Sequence, residues 1–359
     1  MATVSVNVPG APYDVHVEGG LLDRAGKRLR SLIQTPRAAV VTDARVAPLY
    51  LEPLRRSLAA AGIEVFAVVI PAGEGHKTLA TVELIYDQLL AERIDRATPV
   101  LALGGGVVGD VAGFAAATVL RGVAFIQVPT TLLAMVDASV GGKTGVNTPR
   151  GKNLIGAFHQ PRAVFIDPNA LATLPSHELR NGLAECIKHE LIRDAEGFAR
   201  LEQNIDRALA LDAEYLAELI AHNVAIKARV VEADPLERGE RAHLNFGHTF
   251  AHAIERLSNY DIAHGRAVAV GIVAASILST RLGMLQGGEL ERIRSLLARA
   301  GLPTSGTRMS PFDLFNAMKG DKKVRSGRLR FVLLDGIGRA VLRNDIPEEL
   351  VRESLHAIE

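Results

Sequence analysis

His248, His252 and His264 lie close together in a chain that holds eleven histidines. Read as a helix, the run Leu244-Asn245-Phe246-Gly247-His248-Thr249-Phe250-Ala251-His252 puts His248 and His252 at i and i+4, on one face. Two imidazoles at that spacing can grip one metal ion, or one can grip it while the other moves protons. His264 follows after a short turn. The spacing alone is equally that of an ordinary helix face, so other donors decide. On a helix beginning near Ser176, Asn181, Glu185 and Lys188 occupy i, i+4 and i+7 and share one face, while Leu179, Leu183, Cys186 and Ile187 share another. Glu185 beside His248 and His264 makes a two-histidine, one-carboxylate set that leaves a coordination position open, as catalytic zinc sites do. The competing reading is a plain Glu–Lys surface pair. Cys186 reads as a small core residue, not a ligand.

Anion recognition is written in glycines. Gly104-Gly105-Gly106-Val107-Val108-Gly109 satisfies G-x-G-x-x-G, follows an apolar strand, and precedes an apolar stretch starting at Val111. Such glycines let backbone N–H groups approach a pyrophosphate at a helix N-terminus. Pro71-Ala72-Gly73-Glu74-Gly75-His76-Lys77 offers a second glycine loop with a cation. A third region, Asp137 to Gly145 with Gly151-Lys152-Asn153, presents Lys143 and Lys152 from polar, glycine-rich loops. Gly142-Lys143-Thr144 invites a P-loop reading, but Asp137 stands where the first glycine is needed and Val136 does not rescue the register, so a P-loop nucleotidase is rejected. The lysines still suit phosphate or carboxylate. Lys227, Glu237, Arg241 and Asn245 precede His248, and Asp321-Lys322-Lys323 lies near the C-terminus; alone, these are generic surface charges.

The elements that must position these groups follow two rhythms. Up to about residue 176, short strands alternate with helices. Val4–Val8 and Tyr13–Val17 read as a hairpin, and Arg37–Asp43, Glu64–Ile70, Pro99–Leu103, Ala124–Val128 and Ala163–Ile166 as further strands. Between them, Leu49–Ala61 and Thr78–Ala91 read as helices. Near-continuous apolar strands imply a mostly parallel, Rossmann-like sheet with helices on both faces, binding ligands off its carboxyl ends. Beyond residue 176 the pattern turns helical: Glu178–Arg193, Gly197–Ala210, Ala213–Ala233, Phe246–Leu257, Arg266–Leu282 and Glu289–Ala300, with a hairpin from Arg328–Leu334 to Arg339–Asn344. The expected organisation is an α/β domain over 1–176 and a mainly α-helical domain over 177–359.

Composition limits the function classes. With 48% hydrophobic and 23% charged residues in a 359-residue chain, two domains can each bury a core. A net charge of +1, no tryptophan and 4% aromatics argue against nucleic acid and anionic membrane as partners. The single cysteine fits a reducing compartment, and Met1 to Gly10 shows no basic stretch before an apolar core, so a cytoplasmic protein without signal peptide is expected.

Taken together, residues 71–77 (PAGEGHK), 103–110 (LGGGVVGD), 120–123 (LRGV), 128–161, 174–192, 244–255 (LNFGHTFAHAIE), 264–271 (HGRAVAVG) and 321–323 (DKK) closely resemble the 3-dehydroquinate synthase family. The resemblance runs through nearly the whole chain. It implies an NAD- and zinc- (or cobalt-) dependent homodimer that converts 3-deoxy-D-arabino-heptulosonate 7-phosphate into 3-dehydroquinate and phosphate. In that family NAD⁺ transiently oxidises the C5 hydroxyl, phosphate is eliminated, the ketone is reduced, and the ring opens and closes by an aldol step. Carried over, Glu185, His248 and His264 hold the metal; His252 transfers protons rather than ligating, and Glu237 is a second proton acceptor. Lys143, Asn153 and Lys188, with Arg121 from a neighbouring subunit, bind phosphate and hydroxyls. Lys227, Arg241, Asn245 and Lys322 or Lys323 hold the carboxylate, and Asp137 a hydroxyl. NAD lies on Asp43, Glu74, Lys77, Gly105, Gly106, Val107, Asp110, Thr130, Thr131, Lys152, Thr173 and Asn181. Gly145-Val146-Asn147 and Leu120 depart from the commoner pattern and carry no expected chemistry. The rival functions are a sister cyclase of sugar phosphates lacking a carboxylate, an amino-substrate variant, and a glycerol-dehydrogenase-like polyol dehydrogenase.

Overall fold

The computed structural model describes residues 1–237, 239–319 and 329–359. They fall into two units, Met1–Leu174 with Ala213–Pro235, and Pro175–Asp212 with Leu236–Glu359.

The first unit is built on a seven-stranded sheet. In chain order its elements begin β1 (Ala2–Val6), β2 (Tyr13–Val17), α1 (Ala25–Leu32), β3 (Arg37–Asp43), α2 (Glu52–Ala60), β4 (Glu64–Ile70) and α3 (Leu79–Ala91). They continue β5 (Val100–Gly104), α4 (Gly106–Thr118), β6 (Phe125–Pro129), β7 (Lys143–Thr148), β8 (Gly151–Phe158) and β9 (Ala163–Ile166). The strand order is β1-β2-β9-β6-β5-β3-β4, with β1 antiparallel to β2 and every other pairing parallel. β5 and β6 are buried at every residue because helices cover both faces, which is why they read as unbroken apolar runs. Period-2 alternation splits their neighbours cleanly. Ala38 and Val40 pack with Leu29, Leu54 and Leu58 of α1 and α2, while Ala39 and Val41 pack with Ile85, Val111 and Ala115 of α3 and α4. From β3 the chain goes to β4 on one side and then to β5 on the other. The topological switch point therefore lies between β3 and β5.

Three details differ from the sequence expectation. The first strand is Ala2–Val6 rather than Val4–Val8, since Pro9 and Pro12 cannot donate to a ladder and become the turn. The glycine-rich run expected as loops is an antiparallel ribbon, β7 with β8. A Cβ at Gly156 would stand 2.0 Å from the Thr144 carbonyl oxygen, and one at Gly145 would stand 2.5 Å from that of Ile155, so these glycines serve strand approach. The register slips at Asn147. The third difference concerns the helices after residue 176. α5 (Ser176–Arg193) and α6 (Ala195–Leu209) belong to the second unit, but α7 (Ala213–Ala233) returns to the first. Its apolar side packs against β1, and the Glu232 carboxylate accepts from the Asn7 backbone N–H at 2.6 Å and side chain at 3.0 Å. A single cut at 176 therefore misplaces 213–235.

The second unit holds α5, α6, α8 (His248–Leu257), α9 (His264–Arg281), α10 (Gly287–Arg299), α11 (Pro311–Lys319), the hairpin β10 (Phe331–Leu334) with β11 (Ala340–Arg343), and α12 (Glu348–His356). Its centre is α9, buried on all faces between Ala267 and Ser279, as its apolar composition predicts. Two glycines set its approach to neighbours. A Cβ at Gly271 would lie 2.2 Å from the Gly247 carbonyl oxygen, so α8 and α9 cross with backbones in contact. A Cβ at Gly265 would lie 2.4 Å from the Cα of Asn181, which does the same for α9 and α5. α11 and α12, nine residues each, are too short for helical periodicity to stand out in the sequence. Among the described residues no helix is long and apolar enough to cross a membrane.

Candidate active site

In the second unit, the close approach at Gly265 and Asn181 brings the first residue of α9, His264, beside Glu185, one turn along α5. The crossing at Gly247 and Gly271 brings in His248, the first residue of α8. Gly247 adopts φ 77°, a left-handed conformation that glycine takes without strain. It ends the preceding 3-10 turn Glu240–Asn245, so Arg241 and Asn245 do not continue α8 as an early helix start would have them.

The donor atoms of Glu185, His248 and His264 all lie within 4.8 Å of one another. Nε2 of His264 is 3.3 Å and Nε2 of His248 is 3.7 Å from Glu185 Oε1. A tetrahedral ion bonded at about 2.0–2.1 Å would separate its ligands by about 3.3 Å. The donor set and its spacing fit a zinc-like divalent ion. The other carboxylate oxygen, Oε2, receives the Lys188 ammonium. Glu185 is fully buried and Lys188 nearly so, which excludes the surface-pair reading. An unpaired charge at such depth would be costly, so the lysine balances the carboxylate at Oε2 while Oε1 faces the two imidazoles.

The two imidazoles differ electrostatically. Burial, with the Lys188 cation adding to it, holds His248 well below the usual histidine range. Burial also pulls His264 down, but hydrogen bonds to the Glu185 and Glu255 carboxylates overcome it and raise the ring to about 10. In protein stripped of metal, protonated His264 therefore adds stability that is complete below the ordinary histidine value and is lost as pH rises through about 10. An ion must displace that proton. Apparent metal affinity is expected to climb about tenfold per pH unit across this window, with about one proton released per ion. Calorimetry in buffers of different protonation enthalpy checks this; a pH-independent affinity would contradict it.

His252 stands edge-on to His248, ring centroids 5.5 Å apart, and is half-buried. Asn245 donates to Glu237 Oε1 at 3.1 Å, and Glu237 has a left-handed backbone at φ 57°. Arg241 is buried. Asn181 is buried and donates to Glu178 at 3.1 Å. Burial pushes the Cys186 thiol up, aided by Glu190 and Glu185, which suits an inert core residue. Lys322 and Lys323 lie outside the described residues.

In the first unit, Asp43, Gly105, Gly106, Val107, Thr130 and Thr131, six of the expected nucleotide residues, stand at or just beyond the carboxyl ends of β3, β5 and β6, around the switch point. Asp43 ends β3, Gly105 caps α4, and Gly106 and Val107 open it. The N–H groups of that first turn are available to an anion. Thr130 donates its backbone N–H to the Gly104 carbonyl at 2.9 Å, and Thr131 packs where a Gly105 side chain would be. A Cβ at Gly109 would meet Gln127 Oε1 at 2.7 Å, so the last glycine of the motif serves helix–sheet packing. The buried Lys77 ammonium binds the Asp110 carboxylate, and Asn153 Oδ1 at 2.6 Å. Burial pushes Asp110 up, with Lys77 opposing. In Lys77→Met that opposition is gone, so the Asp110 carboxyl rises further and stability falls as pH rises through it. A loss of about 1–3 kcal/mol is expected at pH 8, measured as a urea midpoint, and less at pH 4. Lys227 donates to Asp137 Oδ1 at 2.6 Å. Lys143 is exposed at the start of β7, and Lys152 is the second residue of β8. Glu74 and Thr173 are exposed, the latter 2.5 Å from the Tyr50 hydroxyl. Arg121 is exposed at φ 68°, between Leu120 at φ 49° and Gly122 at φ 111°.

Asn147 was given no role in the sequence reading, yet it ties three of these residues together. Its backbone N–H donates to the Lys77 carbonyl at 2.8 Å, its Nδ2 to Glu74 Oε1 at 2.8 Å, and its Oδ1 accepts from the Asn153 N–H at 3.0 Å. The bulge that frees these groups depends on strand pairing, which periodicity did not reveal.

The family model described as 3-dehydroquinate synthase N-terminal matches residues 67–181, and that described as 3-dehydroquinate synthase C-terminal matches residues 182–324. A curated 3-dehydroquinate synthase from Nitrosomonas europaea is 50% identical over 346 residues, covering 96% of this chain and 94% of its own. Among solved structures, a 2-epi-5-epi-valiolone synthase from Streptomyces hygroscopicus with NAD⁺ and Zn²⁺ bound superposes with TM-score 0.90 at 33% identity, covering 98% of each chain. A 2-deoxy-scyllo-inosose synthase complexed with carbaglucose-6-phosphate, NAD⁺ and Co²⁺ superposes with TM-score 0.91 at 26% identity, covering 100% of each.

Proposed function

We propose, because this chain belongs to the 3-dehydroquinate synthase family, that it converts 3-deoxy-D-arabino-heptulosonate 7-phosphate into 3-dehydroquinate and inorganic phosphate, using NAD and a divalent ion, zinc or cobalt. The observation that carries the reading is the convergence of Glu185, His248 and His264. When bound, NAD supplies a reversible hydride acceptor and the ion a Lewis acid for the hydroxyl and ketone oxygens.

The chain's own residues do the rest. Glu185, His248 and His264 hold the ion. Asp43, Glu74, Lys77, Gly105, Gly106, Val107, Asp110, Thr130, Thr131, Lys152, Thr173 and Asn181 hold the dinucleotide. His252 and Glu237 move protons. Lys143, Asn153 and Lys188 bind phosphate and hydroxyls; Lys188 also neutralises Glu185. Lys227, Arg241, Asn245 and Lys322 or Lys323 take the carboxylate, and Asp137 a hydroxyl. Three consecutive left-handed residues, 120–122, hold Arg121 out on an exposed loop at a backbone cost, which supports its use by a partner subunit in a homodimer. A buried, inert cysteine supports a cytoplasmic setting.

A sister cyclase acting on a sugar phosphate without a carboxylate has no use for Lys227, Arg241 and Asn245 together. The test supplies the heptulosonate phosphate, catalytic NAD⁺ and zinc, and follows phosphate release and the NADH band. Stoichiometric phosphate without NADH accumulation supports the reading; turnover only of another sugar phosphate, or of an amino analogue, moves the chain to a sister activity. Steady NADH from a simple polyol would make it a dehydrogenase. In Lys143→Ala, loss of one charge-assisted contact of about 1.5–3 kcal/mol is expected to raise KM about 10–100-fold.

A further inference from the structure

We infer that Glu255 is the positioning residue of His264: its carboxylate fixes the ring so that Nε2 faces the metal, and so sets how tightly the ion is held. The inference rests on the metal-dependent reading above and deepens it. Glu255 stands seven residues after His248 on α8, so His248, His252 and Glu255 occupy i, i+4 and i+7 on one helix face. Glu255 is buried, and its Oε1 lies 3.4 Å from His264 Nδ1. The opposite ring nitrogen, Nε2, is the one that faces Glu185 Oε1 at 3.3 Å. A carboxylate accepting from Nδ1–H leaves the Nε2 lone pair for the ion and makes the ring a better donor.

The other ligand histidine is oriented differently. His248 Nδ1 lies 3.1 Å from the backbone carbonyl of Phe246, inside the tight turn that Gly247 allows. A backbone carbonyl holds that ring whatever side chains surround it. His264 opens α9, and its Nδ1 partner is a side chain from another helix. Its orientation is therefore a part of the triad that a side-chain substitution can change without touching a ligand. A buried negative charge beside the ring also favours a nearby divalent cation through a low-dielectric path.

The test uses the full chain stripped of metal, with zinc affinity measured by competition against a chromogenic chelator. Cobalt absorption is recorded in parallel as a readout of ligand geometry. Glu255→Ala is expected to weaken zinc about 10–100-fold, the range for losing a carboxylate behind a ligand histidine. Glu255→Gln, which keeps the acceptor and the volume, should recover part of that loss and keeps the test valid if the alanine variant does not fold. A merely structural role would lower melting temperature and leave zinc affinity and the cobalt spectrum alone. Zinc affinity within about twofold of the parent in both variants, with Glu185→Ala losing zinc, overturns the role of Glu255 while the metal site stands. If Glu185→Ala also keeps full affinity, the metal reading falls and the role of Glu255 falls with it.

Discussion

Glu185→Ala is expected to lose bound metal and turnover together. Substitutions behind a ligand weaken metal by about 10–100-fold, so removal of a ligand should exceed 100-fold, at roughly that level or beyond in phosphate release. It should also destabilise the fold. The Lys188 ammonium, nearly as buried as its partner, would be left without this carboxylate, at a cost of about 3–5 kcal/mol. The two effects separate in Glu185→Leu/Lys188→Met. Replacing a buried ion pair by apolar residues of similar size is often neutral or stabilising. The double variant should therefore regain its urea midpoint and remain metal-free and inactive. Metal content after dialysis and phosphate release are the measurements. A double variant that recovers turnover would show that Glu185 serves the fold and not the ion.

Gly265→Ala is expected to damage the site without altering any group that does chemistry. The added Cβ would sit 2.4 Å from Asn181 Cα and 2.5 Å from its carbonyl oxygen, neither of which is a flexible side-chain end. Helices α5 and α9 must move apart, costing about 1–3 kcal/mol. That movement separates Glu185 from His264, and a misplacement of about 1 Å can cost about 100-fold in rate. Gly288→Ala, whose Cβ would meet nothing within 4 Å, is the control and should behave as the parent. Phosphate release and zinc affinity of the two variants check this. Equal rates would mean that the α5–α9 approach is not what places the triad.

Much of this was legible in residue order. Apolar strands between helices read as a parallel sheet because burial on both faces leaves no polar alternation, and β5 and β6 are buried throughout. The glycine motif and its strand–helix context placed the β5–α4 turn, since φ/ψ freedom and close approach are local demands. Glu185, His248 and His264 could be paired by chemical type. Other features were hidden. The return of α7 to the first unit, the ribbon of β7 and β8, and the three hydrogen bonds of Asn147 all depend on partners far along the chain. The spacing of His248 and His252 left open whether both rings or one would face an ion, and the donor atoms that lie together are those of Glu185, His248 and His264, the last from the start of another helix.

Taken alone, the sequence determined the fold class and the residue types for binding a nucleotide and a metal, because local periodicity and motif chemistry are properties of neighbouring residues, and the resemblance carried by its motifs pointed to the family and its cyclisation. Only the tertiary structure decided which oxygen of Glu185 faces the two imidazoles, how differently burial and carboxylates act on those rings, and which side chains brace the ligands. Those properties arise where α5, α8 and α9 meet backbone to backbone at Gly247, Gly265 and Gly271, and where burial and neighbouring charges pull His248 and His264 in opposite directions.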